Sequence, residues 1–170
     1  MRLATFLTTT LAATAAAFSV QAAPLGPVAD VHVTIGSELQ DKADDYGQRE
    51  LDRLAVDLRD SVTSALSRNG GGLAATGGTL DLVIESATPN RPTMQQMNAK
   101  PGLSYESFGI GGAKISGVLT TADGRQVPIH YNWYETDIRW SVGASTWMDA
   151  ETTFDRFARH LANGDLVAER

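Results

Sequence analysis

The turn at Asp123-Gly124 constrains this chain most, because two segments of alternating apolar and polar residues flank it. Asp-Gly in that position is typical of a β-hairpin. A two-residue loop would pair Thr120 with Val127 and would mix apolar and polar side chains on the same face. A three-residue loop with a left-handed Gly124 would pair Leu119 with Val127 and make one face uniformly apolar.

The three-residue loop is favoured, because a one-residue slip exchanges the two faces of a hairpin and only this register collects the apolar side chains together. It also pairs Gly117 with Ile129 and Ile115 with Tyr131, and it places His130 on the face away from the core. The predicted core face consists of Ile115, Leu119, Val127, Ile129, Tyr131 and Trp133, and the opposite face of Ser116, Val118, Pro128, His130, Asn132 and Tyr134.

Composition limits the kinds of site that the chain can hold. The sequence has 170 residues, a formal charge of −6 and no cysteine, which predicts one domain with a core large enough to need no disulfide or structural zinc. The absence of cysteine excludes thiol catalysis, zinc ribbons and lipid attachment through a cysteine. The acidic charge and the lack of a basic stripe argue against nucleic acid as a partner. We expect no metal and no cofactor.

The first residues have the pattern of a secretory signal peptide. Arg2 precedes an apolar run over 3–20, and small residues occupy the cleavage positions that end at Ala22. We therefore expect a signal peptide over 1–22 and a single mature domain over 23–170, periplasmic or secreted and without a membrane anchor after cleavage. The alternative is an uncleaved anchor, but the run is short and rich in threonine for a membrane span.

The remaining sequence alternates between strand and helix patterns. A strand, a helix and a second strand form a crossover unit, so the first two strands should be parallel with a right-handed connection. Because every strand has one apolar face, we predict an α+β two-layer sandwich, a mixed sheet of about four strands with two helices on one face. The predicted elements are a strand at 28–36, a helix at 41–68, a strand at 79–88, a long loop at 89–112, a hairpin at 113–137 and a helix at 147–163.

Two segments have open interpretations. The loop at 89–112 is long for a compact domain, and such loops are usually functional, so it is either a lid or partner contact, or a surface loop held by its own aromatic side chains. Farther along, Ile138, Trp140 and Val142 recur at period two. They either lengthen the last strand or form an arm.

The common local motifs of hydrolases and of phosphate loops are absent. His130 could act with Glu135 or Asp137 as an acid-base pair, although Arg139 beside the carboxylates could hold either of them in an ion pair. A polar residue on an open sheet face is the plainer interpretation of His130. The candidate binding residues are Tyr134, Trp140, His130, Asn132 and Tyr105.

The element order, with a signal peptide and the Asp123-Gly124 hairpin before a C-terminal helix, resembles small exported bacterial envelope proteins of unknown function that share a two-layer α+β unit. Many of those proteins are lipoproteins with a cysteine at the mature N-terminus. This chain lacks that cysteine, so membrane anchoring does not carry over. The resemblance covers most of the mature chain but is architectural, and no functional residue carries over.

The expected function is that of an exported soluble binding or accessory protein of the cell envelope, more in keeping with a non-enzyme than an enzyme. Its partner would be another envelope protein or a glycan. The alternative is a periplasmic hydrolase or a carbohydrate-binding or carbohydrate-processing protein that uses the open sheet face around His130.

Overall fold

The computed structural model describes residues 26–68 and 72–165. The predicted signal peptide lies outside the described residues. The strands are β1 (Val28–Ile35), β2 (Gly78–Thr88), β3 (Gly112–Thr120) and β4 (Gln126–Tyr134), and the helices are α1 (Ser37–Gln40), α2 (Ala43–Tyr46), α3 (Gln48–Arg68), α4 (Met94–Ala99) and α5 (Met148–Ala162), with a 3-10 helix at Ile138–Ser141.

The four strands form one mixed sheet in the order β1-β2-β3-β4. β1 is parallel to β2, as the crossover unit predicts, and the other neighbours are antiparallel. α3 and α5 pack against each other and against the same face of the sheet. The predicted α+β sandwich with two layers is therefore confirmed. Its largest fully buried side chains include Trp147, Phe154, Phe157, Leu51, Leu54, Leu58, Leu80, Leu82, Ile84, Ile115 and Ile129.

The hairpin has the three-residue loop and the register that the apolar pattern predicts. Leu119 pairs with Val127, and the pairs farther along the ladder are also those expected. Thr121 N–H donates to Arg125 O at 2.8 Å, and Gly124 has a φ of 83°, which only glycine adopts without strain. The apolar side chains of β3 and β4 thus face the helices, and His130 is exposed on the other face.

The predicted helix at 41–68 is instead two helices, α2 and α3, and a further short helix, α1, precedes them. Gly47, with a φ of 96°, ends α2 and turns the chain before α3 begins at Gln48. The two short helices contribute Leu39 and Tyr46 to the core. The amphipathic pattern predicted α3 correctly because its apolar stripe repeats at helical spacing, but that pattern does not register a left-handed glycine between helices.

The two ends of the sheet differ in construction. The hairpin end is the turn at 121–125. The loop end consists of the segments 89–111 and 135–147, which adjoin the last residues of β2 and β4 and the first residues of β3.

Candidate functional site

A buried polar pair, Asn90 and Asp149, fixes the long loop at the loop end. Asn90 is 1% exposed and Asp149 is 7% exposed. The Asn90 amide donates to the Asp149 carboxylate at 2.5 Å, and the backbone N–H of Asp149 donates back to Asn90 Oδ1 at 2.9 Å. The same carboxylate accepts the backbone N–H of Gly111 at 2.9 Å. One carboxylate at the start of α5 therefore holds both ends of the loop.

The backbone of Asn90 extends this network to two further segments. Its N–H donates to Thr146 O at 2.8 Å, and its carbonyl accepts the N–H of Gly109 at 2.8 Å. Its side-chain amide also donates to Gly109 O at 3.1 Å. Buried polar groups are stable when each finds a hydrogen-bond partner. Asn90 thus joins the start of the long loop to Gly109 near the end of that loop and to Thr146 just before α5.

Arg91 clamps the two loop-end segments together. Its Nε donates to Ala144 O and its Nη1 to Tyr105 O, each at 2.5 Å. The guanidinium lies 5.1 Å from the ring centroid of Tyr105 and 5.9 Å from that of Phe108, within the range of a cation–π contact. The loop is thus held by its own aromatic side chains, as one of the two interpretations proposed, and also by polar contacts that the interpretation did not include.

The helix inside the loop, α4, is attached to α2. Thr93 and Gln96 form a capping box at its N-terminus. The Gln96 side chain donates to Asp45 Oδ2 at 2.8 Å, and Lys100 forms an ion pair with the same carboxylate. The hydrogen bond from Lys100, with a smaller contribution from Gln96, lowers the pKa of Asp45.

Large apolar side chains are exposed on the outside of this framework. Trp140 is 73% exposed, Val142 68% and Ile138 54%. They do not continue β4 as a strand, because Asp137 accepts the N–H of Arg139 at 3.0 Å and begins a 3-10 helix. We define the loop-end surface as the exposed side chains of Tyr105, Phe108, Ile110, Tyr134, Ile138, Trp140 and Val142.

A shallow groove runs beside the loop-end surface, under the loop. It has a volume of about 330 Å³ and is lined by residues of α2, α4 and the loop, among them Tyr46, Pro89, Leu103 and Phe108. Arg91 lines the same groove.

The predicted binding residues divide between two regions. Tyr105, Tyr134 and Trp140 belong to the loop-end surface, and the Tyr134 hydroxyl lies 2.7 Å from Ser86 Oγ. His130 and Asn132 lie on the open sheet face, opposite Ser116 and Lys114 in β3, respectively. Asn132 lies two residues before Tyr134 on the same face of β4, so the open sheet face meets the loop-end surface at Tyr134, and His130 lies two residues farther away.

The proposed acid-base group is not assembled. Glu135 accepts the backbone N–H groups of Thr136 and Asp137, at 2.7 and 3.0 Å. Asp137 forms an ion pair with Arg139, whose hydrogen bonds lower the pKa of this carboxyl. Within the described residues, no hydrogen bond or ion pair joins His130 to either carboxylate, and five residues of extended chain separate His130 from Glu135 by roughly 16 Å.

The described residues form neither a metal site nor a membrane span. In the ranges 26–68 and 72–165, no group of three or more histidine, aspartate or glutamate side chains could hold a metal ion. No helix in this part of the chain is long and apolar enough to span a membrane. What the arrangement at the loop end offers chemically is an apolar contact surface on a fixed backbone.

The sequence did not reveal Asn90, Arg91 or Asp149 as residues that organise this region. Asn90 and Arg91 stand between two prolines directly after a strand, and Asp149 stands in the first turn of α5. An asparagine or aspartate in either place has an ordinary local explanation as a turn or helix-start residue. Only the contact between positions 59 residues apart gives them a common role.

No family model and no curated protein matches the chain. Among solved structures, the chain has a likeness to a minor lipoprotein from Acinetobacter baumannii. The likeness covers 78% of this chain and 88% of that chain, with 12% sequence identity and a TM-score of 0.31. A similarity of this size assigns neither a family nor a function, so the functional conclusion has to come from the residues of the loop end.

Proposed function

We propose that this protein is an exported binding or accessory protein of the bacterial cell envelope and that a partner protein docks on its loop-end surface. The observation that carries the proposal is the concentration of exposed large apolar side chains, Trp140 above all, at one end of the molecule. Large apolar side chains that are left exposed at one end of a domain are characteristic of interaction sites.

The backbone under the surface favours binding because it is already ordered. Asn90 and Asp149 fix one segment, and Arg91 joins it to the other. A surface that is ordered before binding loses less conformational entropy when a partner docks. Tryptophan and tyrosine supply most of the binding energy at many protein interfaces, so we assign Trp140 as the main anchor.

The chemistry around Trp140 favours a protein over a glycan. Its apolar neighbours in the 3-10 segment, Ile138 and Val142, are aliphatic and highly exposed. The carboxylate closest to Trp140 in sequence, Asp137, is engaged by Arg139, whereas a sugar site needs polar groups free to bond hydroxyls. Glycan binding through Tyr134 and Trp140 stays the alternative, and no observation favours a hydrolase at His130.

The predicted signal peptide supports the envelope assignment. The charged start, the short apolar run and the small residues before Ala23 have the pattern of a signal peptide. A chain without cysteine is compatible with an oxidising compartment, since it has no thiol to oxidise or mispair.

Site-specific photo-crosslinking in intact cells tests the proposal. A photoreactive phenylalanine analogue at position 140 is expected to capture one defined envelope protein, identified by mass spectrometry. The same analogue at Met94, which is 66% exposed on α4 outside the loop-end surface, is the matched control and should not capture it. Identical products from both positions, or none from position 140, would contradict the proposal.

The affinity for the captured protein gives the second measurement. Trp140→Ala should weaken binding at least tenfold, as expected for the loss of about 2 kcal/mol at an interface anchor, and Met94→Ala should leave it unchanged. If the protein instead binds arrayed glycans and loses that binding with Trp140→Ala, the glycan alternative is correct.

A further inference from the structure

We propose that a second copy of this chain pairs with the outer edge of β1, so that two sheets join into one eight-stranded sheet across a two-fold axis near Val33. This inference uses a different surface from the loop end and does not depend on the proposed function.

The direction of the backbone groups in β1 follows from one hydrogen bond. Gly36 N–H donates to Ile84 O at 2.9 Å, so the backbone of Gly36 faces β2. Alternate residues of a strand direct their backbone groups to opposite sides, so Thr34 and His32 also bond β2. The backbone groups of Val31, Val33 and Ile35 therefore face outward.

Only part of this edge is occupied in the described chain. The segment 72–74 covers Val28, whose N–H donates to Gly72 O at 2.8 Å and whose carbonyl accepts from Ala74 at 3.0 Å. The N–H of Val31 donates to the side chain of Asp30 at 2.9 Å. Among the described residues, the outward groups of Val33 and Ile35 have no partner.

The opposite edge of the sheet is protected against strand addition. Because Thr121 bonds Arg125, the odd-numbered residues of β4 bond β3 and the even-numbered ones face outward. Pro128 stands in the middle of that outward set and has no N–H to donate. Proline on an edge strand is a common protection against edge-to-edge pairing. β1 has no proline and consists largely of β-branched residues.

The open part of β1 is complementary to itself in an antiparallel pair. With Val33 opposite its own copy, Val31 faces the second copy's Ile35 and His32 faces the second copy's Thr34. No two like charges then stand opposite each other. Val33 and Ile35 are only half-buried at the margin of the core, and a second sheet would cover their remaining apolar surface. The paired segment ends at Gly36 in each copy, because the chain there leaves the strand and enters α1.

The charges on α3 match the same symmetry. Arg59 and Thr63 line a recess of about 380 Å³ together with Val31, so this part of α3 lies at the level of Val31. Two strand residues correspond to roughly four helix residues in length, which places the level of Val33 between Asp52 and Arg59. These two residues lie on one side of α3, seven residues apart. In antiparallel copies, Asp52 of one α3 faces Arg59 of the other.

Sedimentation equilibrium of the purified protein over a concentration series tests the inference. The wild-type protein should be a dimer. Val33→Pro should give a monomer, because it removes an outward N–H without removing a bond to β2. Arg59→Asp should raise the dimer dissociation constant at least tenfold by placing two acidic groups opposite each other, and the double variant Asp52→Arg with Arg59→Asp should restore it to within a few-fold of the wild-type value.

Arg159→Asp on α5 is the control for the same change in net charge and should leave the dimer intact. If circular dichroism shows that Val33→Pro does not fold, the dimer dissociation constants of Arg59→Asp and of the double variant decide the question. A monomeric wild-type protein, or a dimer that Arg59→Asp and its double variant do not alter, would overturn the inference.

Discussion

The hairpin end and the loop end of the sheet are stabilised over different distances along the chain. At the hairpin end, the bonds that shape the turn join residues no more than four apart, such as Thr121 with Arg125 and Arg125 with Asp123. At the loop end, Asn90 bonds Asp149 across 59 residues and Arg91 bonds Ala144 across 53. The first end needs only its own segment of sequence, whereas the second exists only when the whole domain is folded.

The two ends also expose different side chains. The turn exposes Asp123 and Arg125, while the loop end exposes the apolar residues around Trp140. An ordinary turn is polar because its side chains are solvated. The exposed apolar residues thus gather where long-range contacts fix the backbone, and this is the difference on which the proposed binding function depends.

Asp149→Ala should produce the largest effect, because it leaves the buried N–H of Gly111 without a partner and removes a bond from Asn90. Each unsatisfied buried group costs about 1–3 kcal/mol, so we expect the free energy of unfolding to fall by about 2–4 kcal/mol. Urea denaturation measures this loss. Asp155→Ala, an exposed position on the same helix, removes one exposed hydrogen bond from Ser61 and should change stability by less than about 1 kcal/mol. Equal losses for the two variants would mean that the network does not stabilise the loop end.

Gly124→Ala should have an intermediate effect that stays at the hairpin end. A Cβ there would meet nothing within 4 Å, so the cost is the strain of a φ of 83°, about 1–2 kcal/mol. Gly109→Ala is the counterpart at the loop end, where a Cβ also has open space and φ is not positive. That variant should be nearly neutral in the same denaturation experiment, and a larger loss for Gly109→Ala would reverse the expected order.

Asp45→Asn should have the smallest effect and should depend on pH. The pKa of Asp45 is lowered in the folded protein by Lys100 and then by Gln96, so the ionised group stabilises the fold above its unfolded pKa, and this contribution is lost as the pH falls through the folded pKa. Because the pair is largely exposed, we expect a few tenths of a kcal/mol at neutral pH. The difference between wild type and variant should vanish on acidification, whereas Asp44→Asn, which removes no bond of α4 to α2, should leave the free energy of unfolding at neutral pH nearly unchanged.

Much of the fold was predictable because its patterns are local. The register of the hairpin followed from the faces of its two strands, and β1 parallel to β2 followed from the crossover. The predicted helix at 41–68 was wrong at its start because Gly47 divides it, and a stripe of apolar residues does not reveal one left-handed glycine.

The candidate site was less predictable. Tyr105, Tyr134 and Trp140 were selected from the sequence as exposed aromatics, but the alternation of Ile138, Trp140 and Val142 left their structure open. The carboxylate of Asp137 decides it by starting a 3-10 helix. His130 and Asn132 were selected together with the aromatics, but only Tyr134 shares their face of β4, whereas Trp140 lies in the 3-10 segment and Tyr105 in the long loop.

The sequence by itself determined the two-layer sandwich, the three-residue hairpin loop and the face of the sheet that is buried, because side-chain periodicity and turn chemistry act between near neighbours. The tertiary structure alone decided that the long loop is fixed by Asn90 and Asp149 and that apolar side chains from two segments share one end. Burial and hydrogen bonding at that end depend on residues brought together from distant parts of the chain, and no local pattern specifies which of those residues meet.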